Sequence, residues 1–307
     1  MRLKFGRPDI DRYQDLFDVP EAEPGAAVTL TWMGVSTLLV DDGSCAVLTD
    51  GFFSRPGLLE VGLRPLTPSE ARIEESLARA GIDRLAAVVP VHTHFDHALD
   101  SAVVAERTGA SIVGGTSAAN IARGQGLPED RIVVATPGSE MDIGPFGVTL
   151  IKSEHCPPDR FPGTITAPVV PPAKVSAYRC GETWSMLMHH RPSDRRLLIQ
   201  GSAGFLPGAL AGRRADVTYL GIGQLGIQSD RYIQRYWDET VRAVGARRVV
   251  LIHWDDFFQP LNEPLRALPY AGDDLDVTMR VLTTLADRDG VSVHLPTLWQ
   301  RADPWSK

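Results

Sequence analysis

Val88-Val89-Pro90-Val91-His92-Thr93-His94-Phe95-Asp96-His97 is the stretch on which the reading of this chain turns. Residues 85–91 form an apolar run of strand length. The run stops at three histidines and one aspartate within the six residues 92–97. Imidazole and carboxylate are the donors that zinc and similar divalent cations take. Burying so many polar groups with neither a cation nor hydrogen-bond partners would be costly. A strand end can hold several ligands rigidly toward one point. The pattern H-x-H-x-D-H therefore predicts a metal site, with donors enough for two ions.

Working outward, strands are expected at 28–31, 37–40 and 46–49, with Asp41-Asp42-Gly43-Ser44 as a hairpin turn. Residues 50–68 read as a Gly- and Pro-rich loop. A helix follows, with Thr67 as N-cap, Pro68 in the first turn, Glu70 closing a capping box and Gly81 as its stop. Beyond the histidine turn, helices are expected at 101–107 and 117–123, and strands at 111–113, 131–135 and 148–151. The last of these runs into Ser153-Glu154-His155. Residues 157–172 are a loop crowded with prolines, and its start beside His155 suggests a wall or lid over a site. Strands at 184–189, 196–200, 217–220, 248–252 and 291–295 come next. Ser229 caps a helix running to about 244, and a last helix spans 274–287. Strands and helices in this order fit two packed sheets with helices outside. The tail 296–307, with Trp299 and Trp305, should pack on an edge.

Charged residues make up 22% of the 307, with a net charge of −7 and no basic segment, which excludes a dedicated nucleic-acid binder. Three scattered cysteines, Cys45, Cys156 and Cys180, form neither a disulfide framework nor a CxxC clip and suit a reducing, cytoplasmic setting. The N-terminus has basic residues but no apolar leader. No run approaches the roughly 20 apolar residues of a membrane span, and no basic amphipathic helix suggests stable membrane association. A soluble small-molecule substrate is expected.

Three strand-to-loop junctions deliver histidine: His92, His155 and His253. With the H-x-H-x-D-H cluster, they make the chain resemble the metallo-β-lactamase superfamily from about residue 30 to about residue 257. Thr31-Trp-Met-Gly-Val35-Ser36-Thr-Leu-Leu-Val40, Leu48-Thr-Asp50-Gly-Phe-Phe-Ser54, Tyr219-Leu-Gly-Ile-Gly223 and His253-Trp254-Asp-Asp-Phe257 look like one branch of it. That branch holds the ascorbate-6-phosphate lactonases and N-acylphosphatidylethanolamine phospholipase D-like enzymes. The resemblance implies a four-layer αββα sandwich over residues 1–307 as one domain. It implies a first metal site of His92, His94 and His155 and a second of Asp96, His97 and His253. Asp50 would orient a ligand histidine from outside the coordination sphere. The cofactor would be one or two zinc ions, with manganese or iron as alternatives. Some branch relatives assemble, which leaves a homo-oligomer open.

The family's bridging aspartate lies in a Gly-Asp-Thr-Gly segment; here Gly201-Ser202-Ala203-Gly204 stands in its place. A neutral serine at 202 removes the anion that screens two nearby cations, so the second site should weaken most. Val35 replaces a histidine common in the branch. The expected chemistry is hydrolysis of a small ester-like bond by metal-activated hydroxide, with Asp96 orienting the water or taking its proton. The alternatives are a ligand-binding protein without turnover and a di-iron redox protein. Trp254, Tyr178, Trp184 and Arg160 are candidates for the pocket or its support. One of Asp255 and Asp256 is expected behind the site and the other in solvent. His189, His190, His294 and Cys156 read as structural.

Overall fold

The computed structural model describes residues 4–306. Residues 1–3, the start of the N-terminal stretch read above, and residue 307 of the tail lie outside the described range.

Two seven-stranded sheets form the body. The first contains β1 (Thr29–Trp32), β2 (Leu38–Asp41), β3 (Ala46–Thr49), β4 (Ala87–Val89), β5 (Ser111–Gly114) and β6 (Ile132–Val134). The second contains β7 (Glu140–Ile143), β8 (Phe146–Ser153), β9 (Thr183–His190), β10 (Arg195–Gln200), β11 (Val217–Gly221), β12 (Arg248–Ile252) and β13 (Ser292–His294). A short C-terminal strand, β14 (Arg301–Ala302), pairs antiparallel with β1 and completes the first sheet. Strands β1–β3 are antiparallel and β3–β6 parallel. Likewise β7–β10 are antiparallel and β10–β13 parallel.

The period of two along the strands builds the layers. Ala87 and Val89 of β4 join the core between the sheets, whereas Val88 joins a second core under helices. That second core is roofed by Ile73 and Leu77 of α2 (Glu70–Ala80), Val104 and Ala105 of α4 (Ser101–Thr108), and Ala118 and Ala122 of α5 (Thr116–Gly124). On the other side, Ile233 and Trp237 of α6 (Asp230–Trp237) and Met279 and Leu282 of α7 (Leu275–Asp289) cover the second sheet. The fold is thus the four-layer αββα sandwich. Strands β10, β11 and β12 carry few exposed positions, as expected of parallel strands covered on both faces.

Several local readings need correction. The strand read at 85–91 is regular only over 87–89, and Pro90, which offers no N–H to the ladder, ends it on the C-terminal side. Helix α2 starts at Glu70 with Ser69 as N-cap and no side-chain cap. An isolated bridge between Leu66 and Ala173 keeps the chain extended where Thr67 would have capped. Residues 50–68 contain an unforeseen helix, α1 (Leu58–Leu63). The helix after Ser229 is α-helical only to Trp237 and continues as a π-helical turn, Asp238–Arg242. Strands β7 and β14 carry too little apolar signal to read in advance. The stop at Gly81 holds, in the left-handed conformation at φ 65°.

Candidate metal centre

All the ligand-bearing junctions emerge on one rim of the sandwich. Asp50 follows β3, His92 follows β4, His155 follows β8, Ser202 follows β10 and His253 follows β12. After β4 the chain turns at once into a single helical turn, α3 (Phe95–Ala98), which presents Asp96 and His97.

The donors converge in two sets. One ligand atom each from His92, His94 and His155 lie within 4.8 Å of one another, and so do those of Asp96, His97 and His253. The His94 and His155 rings are 4.7 Å apart, and those of His92 and His97 only 3.8 Å. These are the two triads expected from the sequence.

Hydrogen bonds fix which nitrogen faces inward in two of the rings, His155 and His97. His155 directs Nδ1 at the Cys156 carbonyl, 2.7 Å away. His97 Nδ1 lies 2.8 Å from Asp50 Oδ2, while Asp50 Oδ1 accepts from the Val91 N–H at 2.8 Å. Asp50 thus ties the end of β4 to the His97 ring. His97 Nε2, both nitrogens of His92 and Nδ1 of His253 are buried with no hydrogen-bond partner. Orphaned buried nitrogens cost stability unless a cation or proton fills the space between them. The residues present therefore fit a divalent metal, held by two triads.

Electrostatics agree with that fit. Burial holds His92 and His97 well below the ordinary imidazole range, and neighbouring imidazoles push the same way. Burial brings His94 and His253 down to about 4. The rings are neutral near pH 7, the form that binds metal. Burial raises Asp96 to about 7 and Asp50 well above the usual carboxylate range. A cation between the triads would favour their ionised forms.

The surrounding turns are strained where they serve the site. Val35, Asp50, Arg55 and His253 all have positive φ, from 41° to 59°. Non-glycine residues rarely adopt such values, and they cluster at functional sites. A buried ion pair braces two of these turns. Arg55 Nη2 lies 2.5 Å from Asp255 Oδ2, with both side chains fully buried. Asp255 Oδ1 accepts from the Val35 N–H at 2.9 Å, and the Val35 carbonyl accepts from the His253 N–H at 2.9 Å. Gly34 makes room: a Cβ there would sit 2.1 Å from Arg55 Nη2.

The other expected residues fall as follows. Asp255 and Asp256 are both buried, so neither is solvated; Asp256 pairs with Arg7 and Arg266. Trp254 does not line a pocket. Its ring packs against Trp32 at 5.5 Å and Phe17 at 5.8 Å. Trp184 is likewise buried in the core between the sheets. Tyr178 is fully buried in the apolar cluster of Val35, Phe52 and Phe95, so it backs α3 and walls no cavity. Their large apolar bodies gain more from burial than from a wet cleft. His189 pairs with Asp194, His190 with Ser193, and His294 with Asp18. Arg160 is exposed, and Cys156 is a buried thiol. The Ser202 hydroxyl accepts from the Cys156 N–H at 3.0 Å, beside His155. An aspartate there keeps that acceptor and adds a charge. Ser202→Asp should therefore raise occupancy of the Asp96/His97/His253 set; unchanged stoichiometry at saturating zinc would refute this.

Besides Arg55, three contributors escaped the sequence reading. Asp159 and Phe161 of the Pro-rich loop lie against His94, at 3.2 Å and 6.5 Å. Asp100 receives the Phe53 and Ser54 N–H groups at 2.7 and 2.6 Å and so shapes the turn before Arg55. The closeness of Asp159 to His155 in sequence was the one available signal.

Known proteins resemble this arrangement. A family model described as the metallo-beta-lactamase superfamily matches residues 30–171. A "UPF0173 metal-dependent hydrolase" from Roseiflexus sp. (strain RS-1) is 26% identical over 132 residues, 43% of this chain and 49% of that protein. The chain spans about half the length of the curated relatives it matches. Among solved structures, Igni18, a metallo hydrolase from the archaeon Ignicoccus hospitalis, superposes with a TM-score of 0.55 at 15% identity, covering 90% of this chain and 97% of its own. CmlA, a diiron beta-hydroxylase from Streptomyces venezuelae, gives 0.56 at 13% identity, covering 92% and 54%. In its αββα sandwich and in residues 30–171 the chain is thus similar to the metallo-β-lactamase superfamily.

Proposed function

We propose that this protein is a metal-dependent hydrolase of a small, soluble ester-like substrate: a lactone, a phosphodiester or a carboxylic ester. The observation that carries this reading is the pair of donor triads with buried, unpartnered imidazole nitrogens. The hydrolase names of the curated relatives and the motif likeness to the lactonase branch support it.

His92, His94 and His155 would hold one ion, and Asp96, His97 and His253 a second. A divalent cation bound there supplies Lewis acidity and lowers the pKa of its water toward 7. The chain's own residues supply the rest. Asp96 Oδ2 stands 3.5 Å from His97 Nε2 and 3.6 Å from His253 Nε2, facing the shared space. From that position its carboxylate would orient a water in the shared space or take up its proton. Phe161 and Phe257 flank His94 and His253 at 6.5 and 5.8 Å and shield the donors from bulk water. Serine at 202 leaves the Asp96 set without a bridging carboxylate, so the His92 set should fill first.

Five histidines to one carboxylate favour zinc over a di-iron centre, which generally uses a carboxylate-rich set. Among the described residues, no helix is long and apolar enough to cross a membrane.

The test is metal content and turnover on the same preparation, purified without chelator. Zinc should copurify, stripping should abolish hydrolysis across a lactone, phosphodiester and ester panel, and zinc should restore it. Undiminished turnover by verified metal-free protein would refute the reading.

A further inference from the structure

We propose that Asp159, from the Pro-rich loop, is a positioning residue for His94, holding its ring so that Nδ1 meets the metal. The inference rests on the metal-centre reading above and deepens it.

The two nitrogens of His94 have different surroundings. Nε2 is buried, has no hydrogen-bond partner and lies 3.2 Å from Asp159 Oδ1, which leaves Nδ1 as the nitrogen for a cation. A ring whose Nε2 side is occupied by a carboxylate can offer only Nδ1 to a cation. Ligand histidines commonly hand their second N–H to a carboxylate or carbonyl, which fixes tautomer and orientation and strengthens the donor. The other two histidines with mapped partners follow that rule: His97 has Asp50 and His155 has the Cys156 carbonyl. His94 would have Asp159. At 3.2 Å this oxygen is within the distance of an N–H···O hydrogen bond from the ring.

The loop is built to keep the carboxylate there. Asp159 Oδ1 accepts from the Phe161 N–H at 3.0 Å. Phe161 O in turn accepts from the Cys180 N–H at 2.8 Å, and Cys180 O accepts from the Thr93 N–H at 2.8 Å. The backbone thus runs in three hydrogen bonds from Asp159 to the residue preceding His94. Asp159 also restores a negative charge near the His92 set in a chain whose bridging position holds Ser202.

Asp159→Asn tests this. Asparagine keeps the acceptor for Phe161 N–H, so the loop turn survives, while the charge that strengthens the His94 donor is lost. Zinc affinities of wild type and variant are measured by competition with a chromophoric chelator, alongside the melting temperature of metal-free protein. The expected result is a loss of about tenfold or more at the tighter site, with the weaker site and the metal-free melting temperature unchanged. Equal affinities in the two proteins overturn the proposal, as does a parallel loss at both sites with a lowered metal-free melting temperature. Cys180 also lies within 4.8 Å of His94 and Asp159 by its donor atom. A third zinc equivalent lost in Cys180→Ser would assign Asp159 to a separate site and overturn it too. If wild type takes up no zinc, it is the metal-centre reading itself that falls.

Discussion

Replacing Arg55 by alanine should destabilise the fold by about 3–5 kcal/mol, the usual cost of leaving one partner of a buried ion pair unpaired. Asp255 would keep a carboxylate with no exposed surface. The loss extends further than one contact. Arg55 Nη1 also donates to the Gln259 carbonyl at 3.2 Å, and Asp255 holds the Val35 N–H. Val35 in turn receives the His253 N–H. Removing the guanidinium therefore unsettles the carboxylate that braces the left-handed turns at Val35 and His253, which keep the Trp32 Nε1–H bond to the Val35 carbonyl at 2.9 Å. Chemical denaturation of metal-free protein measures the effect directly. A change below about 1 kcal/mol, ordinary for a surface pair, would show that the pair is not what holds these turns. Replacing both partners by apolar residues of similar volume should recover part of the loss, because no lone charge remains.

Replacing His94 by alanine should remove zinc from the first set and abolish hydrolysis. The loss should exceed the roughly 10–100-fold expected when an outer-shell partner is removed, because one of three protein donors disappears. His155→Ala belongs to the same set and should behave alike. His189→Ala is the control, since His189 pairs with Asp194 on the surface. Zinc per chain and turnover on the same preparations decide it: undiminished hydrolysis by His94→Ala would reject the metal mechanism.

Much of the fold and the histidine-bearing strand ends were legible because their signals are local, while the grouping into two triads came from the family resemblance. Apolar runs that end in histidine mark strand ends, and β12 matched its expected bounds, 248–252. The αββα order followed from strands alternating with helices. What was not legible depends on contacts distant in sequence. Arg55 reads as one arginine in a Gly/Pro loop, and its partner is 200 residues away. Asp159 reads as an ordinary loop carboxylate until the loop folds against the histidine turn. Trp184 and Tyr178 were expected at a pocket from their place beside the loop. The positions of their side chains depend on strand pleat and on which apolar cluster lies beneath, neither of which a loop neighbourhood reveals. Helix α2 lost its expected cap because Leu66 is paired to Ala173, a bridge no local pattern encodes.

Each triad takes two donors from the chain after β4, in the first sheet, and one from the second sheet: His155 after β8 or His253 after β12. An ion in either set would thus be a rivet through the seam of the sandwich. Its affinity includes the work of keeping the two sheets at the right separation. Zinc retention then becomes a caliper for the packing between the sheets. A packing defect among the buried side chains between the sheets, away from every ligand, would register as faster metal loss before the protein melted.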